Sequence, residues 1–473
     1  MKMLQKLLFI LTIISLTASS AFAQDQAVEE QASQKEETPL WPVADDPDDV
    51  ISVFHATSEI FHEPGEDEQA SLWPVPDYTG GFLSRPTVTG DWGGLRTALA
   101  NKGIIASVDI LQTFQVLVDG GQDTGEEYGG SIDYELFLDF NKLGLWPGAF
   151  VYLFAETQFG TFVNTDVGTI AAANMDGTMP LPDEHETTLT SVTFTQFLAQ
   201  WVAITIGKVC AIDCDANAFA HGRGKDQFLN SNFVVNPAGI VAGPYSALGA
   251  GLLFILPGQR GTVAISVLDA NGVPNKAGFD DMFEDGVAVG GEARIGVKPF
   301  ELPGHHLLGG ALGTKGYMAL DLDPRFLLNE WLTTGSVTIP EEDTTWAFYY
   351  NFDQYLFVED DDPEQGIGIF GRFGLADDKT APFEFFYSAG LGGKGIIPTR
   401  NEDAFGVGFY YIVASEKIPD PNDVFGDGQG IELFYNIEVT PWLHVTTDFQ
   451  IIFPGDKRVD NAYVLGLRVK VDV

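Results

Sequence analysis

The chain has 473 residues, with 25 Lys and Arg against 67 Asp and Glu, a formal charge of −42 at neutral pH. A surface that binds nucleic acid must be basic, so nucleic acid is excluded as a partner. Hydrophobic residues make up 45% of the chain and aromatics 12%, with 36 Phe and 53 Gly, which is too much apolar material for a disordered acidic protein, so most of the chain folds.

Residues 1–23 carry Lys2 and Lys6, then the apolar run Leu7 to Leu16, then Ala21-Phe22-Ala23. A basic start, a short apolar core and an A-x-A end form a cleavable export signal, with cleavage expected after Ala23. Beyond it no run approaches the roughly 18–20 apolar residues that a spanning helix needs, which excludes a helical membrane protein. From Gln24 to Ser84 the sequence is acidic and proline-rich, with Asp45-Asp46-Pro47-Asp48-Asp49 and a repeated Leu-Trp-Pro-Val at Leu40–Val43 and Leu72–Val75. This composition reads as an unstructured tail.

At Asp91 the character changes. Asp91-Trp92-Gly93-Gly94-Leu95-Arg96 leads into Ala98, Leu99 and Lys102-Gly103, an acidic cap before apolar residues and a glycine after a basic end. That pattern predicts a helix of about two to three turns within 85–103. After Gly103 the apolar period switches to 2 and stays there. Tyr463, Leu465, Leu467, Val469, Val471 and Val473 alternate with Arg468, Lys470 and Asp472; Ile431, Leu433, Tyr435, Ile437 and Val439 alternate with Glu432, Asn436 and Glu438.

Segments of this kind number about sixteen, each of roughly 8–12 residues, the length of a tilted membrane-spanning strand. They fall near 104–118, 131–140, 148–158, 188–198, 201–208, 247–256, 260–270, 288–299, 305–320, 344–358, 366–375, 382–391, 404–414, 430–439, 442–453 and 461–473. The links Phe159–Thr187, Val209–Ser246, Asn271–Val287, Leu322–Asp343 and Ser415–Gln429 are long, whereas Ala199-Gln200, Gly258-Gln259, Glu301–Gly304 and Pro441 are tight. Long and short links on alternate sides are the mark of an outer-membrane barrel, with short periplasmic turns and long outer loops. A soluble sandwich also alternates its strands but offers no reason for one-sided loop lengths. The fold expected is therefore all-β: an antiparallel transmembrane β-barrel of about sixteen strands over 104–473, preceded by a short helix.

Thr89-Gly90-Asp91-Trp92-Gly93-Gly94-Leu95-Arg96, with Leu99 and Lys102-Gly103, resembles the opening motif of the OprB-type carbohydrate-selective outer-membrane porins of Gram-negative bacteria. Three further stretches are similar to that family: Gly207-Lys208 through Asp213, Asp215, Asn217 and Phe219-Ala220 to Gln227–Asn230; Gly390-Leu391 with Lys394-Gly395 and Ile397-Pro398; and Glu432 through Phe434-Tyr435-Asn436 to Val439–Leu443. The resemblance runs from Arg85 to the C-terminus with its order preserved. It departs at the last residue, Val473, where many barrel proteins carry Phe. The resemblance implies an outer-membrane porin for passive, selective diffusion of small carbohydrates, in which a long loop folds into the lumen. Outer-membrane lipid and the barrel assembly machinery are then its partners, with homo-oligomerisation left open.

A barrel of this size has a lumen too wide for side chains to fill, so it conducts unless something narrows it. The natural constriction is Val209–Ser246, which holds Asp213, Asp215, Asn217, Arg223, Lys225 and Asp226, charges and amides able to replace the hydration of a sugar. Strand alternation points Glu292, Arg294, Lys298, Arg372, Glu432, Asn436 and Arg468 inward; polar residues are the default on a porin's inner wall. Inward Phe370, Phe434 and Tyr410 form either a stacking slide for sugar faces or filler, and filler is the simpler reading.

Cys210 and Cys214 lack the second pair that a zinc site requires, and in an exported protein they are disulfide candidates. Asp213-x-Asp215-x-Asn217 opens like a calcium loop, but Ala218 and Gly224 stand where an EF-hand needs glycine and a bidentate Glu. No metal or cofactor is expected, with a looser calcium site supporting the loop as the minor alternative. Gly390-x-Gly392-x-x-Gly395 follows a membrane strand with no βαβ unit, which leaves a flexible turn rather than a dinucleotide site. Neither G-x-S-x-G nor H-E-x-x-H occurs, and isolated His444 has no evident catalytic partner in the sequence, so an enzyme is not indicated. The competing reading is a general porin whose acidic lumen prefers cations; a barrel enzyme is a more distant one.

Overall fold

The computed structural model describes residues 75–473, apart from 170, 181–185, 212–215, 323–331, 334–337, 360–361 and 421–422. The expected export signal and most of the acidic tail lie outside the described residues. Among the described residues no helix is long and apolar enough to cross a membrane.

Strands dominate: β1 (Ile104–Gly121), β2 (Gly125–Asp139), β3 (Ala149–Gly160), β4 (Thr187–Ala199), β5 (Val202–Cys210), β6 (Ser246–Ile255), β7 (Gly261–Asp269), β8 (Val287–Val297) and β9 (Gly304–Gly313). A two-residue ladder, β10 (Tyr317–Met318) with β11 (Glu341–Glu342), follows. The series resumes with β12 (Thr345–Glu359), β13 (Asp362–Ala376), β14 (Phe383–Lys394), β15 (Ala404–Ala414), β16 (Gly428–Thr440), β17 (Leu443–Phe453) and β18 (Asp460–Asp472). All but β10 and β11 form one closed barrel of sixteen strands, each antiparallel to its sequence neighbour. β1 closes the ring on β18 in a register running from Asp109 opposite Asp472 to Gly121 opposite Asp460.

Period-2 alternation explains the faces. Along β18, Val464 and Arg468 are buried while Tyr463, Leu465 and Leu467 are exposed, and Ile431 and Leu433 on β16 are exposed beside fully buried Glu432. Leucines outside and charges inside invert a soluble sheet, because the outer face meets hydrocarbon and the inner face meets water or other protein.

The long links 161–186, 211–245, 270–286, 314–344 and 415–427 all leave from one end of the barrel. Two details differ from the expected alternation. β1 and β2 run on through residues predicted as loop, leaving only 122–124 between them on the long-loop side. Glycine permits the close approach: a Cβ on Gly130 would lie 2.0 Å from the Leu111 carbonyl oxygen of the paired strand. On the other side the turns 140–148 and 395–403 are longer than their neighbours. The predicted strand 305–320 stops at Gly313, where a Cβ would overlap the Tyr317 hydroxyl at 1.8 Å as the chain folds back.

The helix α1 (Leu95–Ala100) is shorter than expected because Gly93 and Gly94, with φ of 70° and 92°, keep the preceding residues out of it. Asp91 caps it, accepting from the Thr97 backbone N–H at 2.8 Å and hydroxyl at 2.7 Å. Buried Arg96 donates to Thr87 Oγ1 (2.9 Å), the Val473 carbonyl (3.1 Å) and the Ala106 carbonyl (3.0 Å), and its guanidinium lies 4.2 Å from the Tyr78 ring centroid. The opening motif therefore fastens the N-terminal segment to both strands of the seam. Packing begins before the expected boundary at Arg85: Tyr78 is buried with Ala100 and Ile105, and Val75, Phe137 and Phe150 pack around them.

Candidate functional site

The link 161–186 after β3 (hereafter L2) holds the short helix α2 (Asn164–Val167). The long link after β5, residues 211–245 (hereafter L3), carries buried chain into the barrel, including the short helix α3 (Ser231–Val234), capped by the Asn230 side chain on the Asn232 N–H. Phe219, Phe228 and Phe233 of L3 pack on the inward rings of Phe370, Phe386, Tyr410 and Phe434 from β13 to β16. Phe228 alone lies 4.7 Å from Phe233, 5.5 Å from Phe370 and 4.7 Å from Phe434, centroid to centroid. Burial of several aromatics, each worth roughly 1.5–3 kcal/mol, holds the loop against one side of the bore. Phe370, Phe434 and Tyr410 are thus covered by L3, each about 1% exposed, and present no open stacking track.

Polar anchors surround this apolar patch. Arg468 of β18 donates to the Gly224 carbonyl at 2.5 Å and the Gln227 carbonyl at 2.9 Å. Arg372 of β13 donates to the Ala220 carbonyl at 2.5 Å, and Arg294 of β8 to the Ala216 carbonyl at 2.9 Å. Glu432 of β16 accepts the backbone N–H groups of Leu229 (2.5 Å) and Asn230 (2.9 Å), and Asn436 donates to the Asp226 carbonyl at 2.8 Å. These five inward residues therefore grip the backbone of L3. Glu292 lies apart from them, accepting from the Tyr349 hydroxyl at 2.5 Å, and Lys298 sits exposed just beyond β8.

The charged residues of L3 reach the opposite wall. Lys225 pairs with Asp133 of β2 and lies 3.9 Å from both Asp109 of β1 and Asp176 of L2. Burial alone would lower the pKa of its ammonium, but the three carboxylates outweigh burial and hold it above the ordinary lysine range. Arg223 pairs with Glu156 of β3, accompanied by the Tyr245 hydroxyl at 2.7 Å, and lies 4.8 Å from the Phe154 ring. Asp226 pairs with Lys470 of β18 at 2.8 Å. Burial opposes ionisation of Asp226, yet Lys470, with Arg468 and His221, brings its pKa down to about 2. Asn217 donates to the Phe352 carbonyl at 3.1 Å. Asp213, Asp215 and Cys214 lie outside the described residues; Cys210 is buried at the end of β5.

L2 enters the bore as well, which its sequence did not signal. Met175 donates its backbone N–H to Leu229 at 2.7 Å, Ser231 donates to Ala172 at 3.0 Å, and Met175 and Met179 join the aromatic patch of L3. Asp176 accepts from Ser131 of β2 at 2.7 Å. Asp109, Asp133 and Glu156 were readable as inward by parity, but their pairing with L3 needed the fold. Beside the start of L3 a small cleft is lined by Asn217, Arg294, His305, Asn351 and Asp353, with the His305 ring 2.9 Å from the Asp353 carboxylate.

A closed barrel with an apolar exterior, a charged interior and loops pinned across its bore is the architecture of an outer-membrane porin. Residues 123–472 match the family described as carbohydrate-selective porin, OprB family, and the chain belongs to that family. It is 22% identical to Porin B of Pseudomonas aeruginosa over 430 residues, which cover 80% of this chain and 90% of that protein. Its fold matches the high-pH structure of Pseudomonas putida OprB with a TM-score of 0.72 at 22% identity, covering 83% of this chain and all of the other. The low-pH structure of the same protein matches with a TM-score of 0.52 at 18% identity, covering 83% of this chain and 99% of the other. The chain is an outer-membrane carbohydrate diffusion channel.

Proposed function

We propose that sugars cross by passive diffusion through the part of the bore that L2 and L3 leave open, and that the charged faces of these loops set the selectivity. The observation that carries this reading is the set of wall residues, Arg294, Arg372, Glu432, Asn436 and Arg468, each bonded to L3 backbone. A loop held this firmly keeps donors and acceptors at fixed positions, and fixed groups can exchange for a sugar's hydration without binding it tightly. In this reading Asn217, Arg223, Lys225 and Asp226 shape the narrow zone while the five wall residues position it. Glu292 and the cleft of Asn217, Arg294, His305, Asn351 and Asp353 supply further hydrogen-bonding groups along the wall. No step of catalysis enters, and insertion proceeds through the barrel assembly machinery.

The runner-up is a general cation-preferring pore, which the carboxylates Asp109, Asp133, Glu156 and Asp176 around only two loop cations favour. Planar-bilayer conductance with a panel of mono- and disaccharides separates the two. A selective pore is blocked by its solute in a concentration-dependent way, whereas a general pore shows cation-biased reversal potentials and no block by any sugar. Liposome swelling with the same panel then ranks the sugars; equal rates for all sugars of one size would overturn selectivity.

A further inference from the structure

At the turn end of the barrel, large apolar side chains stand exposed at or beside six of the seven turns, at Trp146, Trp201, Phe300, Phe357, Ile397 and Val439. Phe300 at the tip of 298–303 is 96% exposed. Such residues form the belt that meets the inner-leaflet boundary of headgroups and acyl chains. One place on this rim has no turn to carry an anchor: the seam where β18 ends and β1 begins. The N-terminal segment occupies that place. Val88 donates to the Asp472 carbonyl at 2.8 Å, and Arg96 holds Val473 and Ala106.

This segment exposes four large apolar side chains within fourteen residues: Phe82 (55%), Leu83 (71%), Trp92 (49%) and Leu95 (55%). Phe82 joins the segment to the rim of the barrel, because its ring lies 5.0 Å from the Trp442 ring and the Trp442 indole N–H donates to the Phe82 carbonyl at 2.7 Å. Arg85, 5.2 Å from the Phe82 ring centroid, places a cation beside them. An apolar cluster flanked by a guanidinium suits a phospholipid interface, where rings and leucines enter the acyl boundary and the cation meets phosphate. We propose that residues 82–95 form an interfacial foot that binds the phospholipid leaflet and completes the barrel's anchoring belt at its seam. The expected occupant is lipid, since Phe82 and its neighbour Leu83 adjoin the rim at Trp442.

The test uses the mature chain in phospholipid nanodiscs, with Leu83→Cys or Leu95→Cys in a Cys210→Ala, Cys214→Ala background, each labelled with an environment-sensitive fluorophore. Phe300→Cys serves as the reference for the belt and exposed Asp77→Cys as the aqueous reference. Lipid brominated near the headgroup end of its acyl chains should quench the labels at 83 and 95 as strongly as the label at 300, consistent with burial of about 5–10 Å. Labels at 83 and 95 that behave like the one at 77 would overturn the proposal. If the cysteine-free background does not fold, a photo-crosslinking phenylalanine analogue at Leu83 in the otherwise native chain gives the same decision. Crosslinks to phospholipid support the foot; crosslinks to a second copy or to a periplasmic protein, or none to lipid, refute it.

Discussion

Replacement of Arg468 by methionine tests the idea that wall residues hold the constriction. The residue is 1% exposed, and its guanidinium donates to two L3 carbonyls, Gly224 and Gln227, as well as to Thr446. Charge-assisted bonds of this kind contribute about 1.5–3 kcal/mol each, so the two to L3 put the local tether at about 3–6 kcal/mol. Methionine keeps most of the stem's packing while leaving both carbonyls without this donor. Because Arg372, Arg294, Glu432 and the aromatic patch still grip L3, the loop should fray around 222–227 rather than leave the bore. In single-channel recording the expected result is a higher and noisier open conductance, with weaker block by sugar. Adding Arg372→Met should enlarge both effects beyond their sum, since the two sites share one loop. Heat-modifiable mobility on gels confirms that the barrel itself has assembled. An assembled Arg468→Met channel whose conductance, noise and sugar block equal those of the native protein would refute the tether.

Three other outcomes follow from the same geometry. Lys225→Met leaves Asp133, Asp109 and Asp176 without their shared cation; losing one partner of a buried pair costs about 3–5 kcal/mol, and the channel should shift toward cations, read as a changed reversal potential in a salt gradient. Asp226 has a folded pKa of about 2 against an ordinary 3.8, so its pairing with Lys470 contributes stability present in full above the ordinary value and lost as pH falls through the folded one. Conductance noise from L3 should therefore rise as pH drops from about 4 to about 2, and Asp226→Asn should show it already at neutral pH; an identical pH profile in the two proteins counts against the assignment. Arg96→Ala removes the bonds to Val473, Ala106 and Thr87; the barrel's thermal midpoint should fall and amide exchange near the ends of β1 and β18 should quicken, with conductance retained.

The barrel was largely legible because its rule is local. A strand with one face in lipid must alternate, and Leu465, Arg468 and Val471 could each be assigned a side from position alone. The first hairpin was harder: residues 119–130 fell between the predicted strands, whereas Gly120 and Gly130 let the paired strands approach closely there. Parity also pointed Arg294, Arg372, Glu432 and Asn436 inward. It could not say that L3 backbone would stand against them, since that depends on contacts between residues some 80 to 240 positions apart. L2 was the least legible element, because Met175, Asp176 and Met179 have no periodic pattern and their partners come from L3 and the wall.

The grip of Arg96 on the Val473 carbonyl joins two parts of the polypeptide 377 positions apart. A ring of strands is shut only where its first and last members meet, and here Arg96 and Val88 reinforce that junction from outside the ladder, through Val473, Ala106 and the Asp472 carbonyl. The clasp so formed supports the one strand pairing that turns a sheet into a tube.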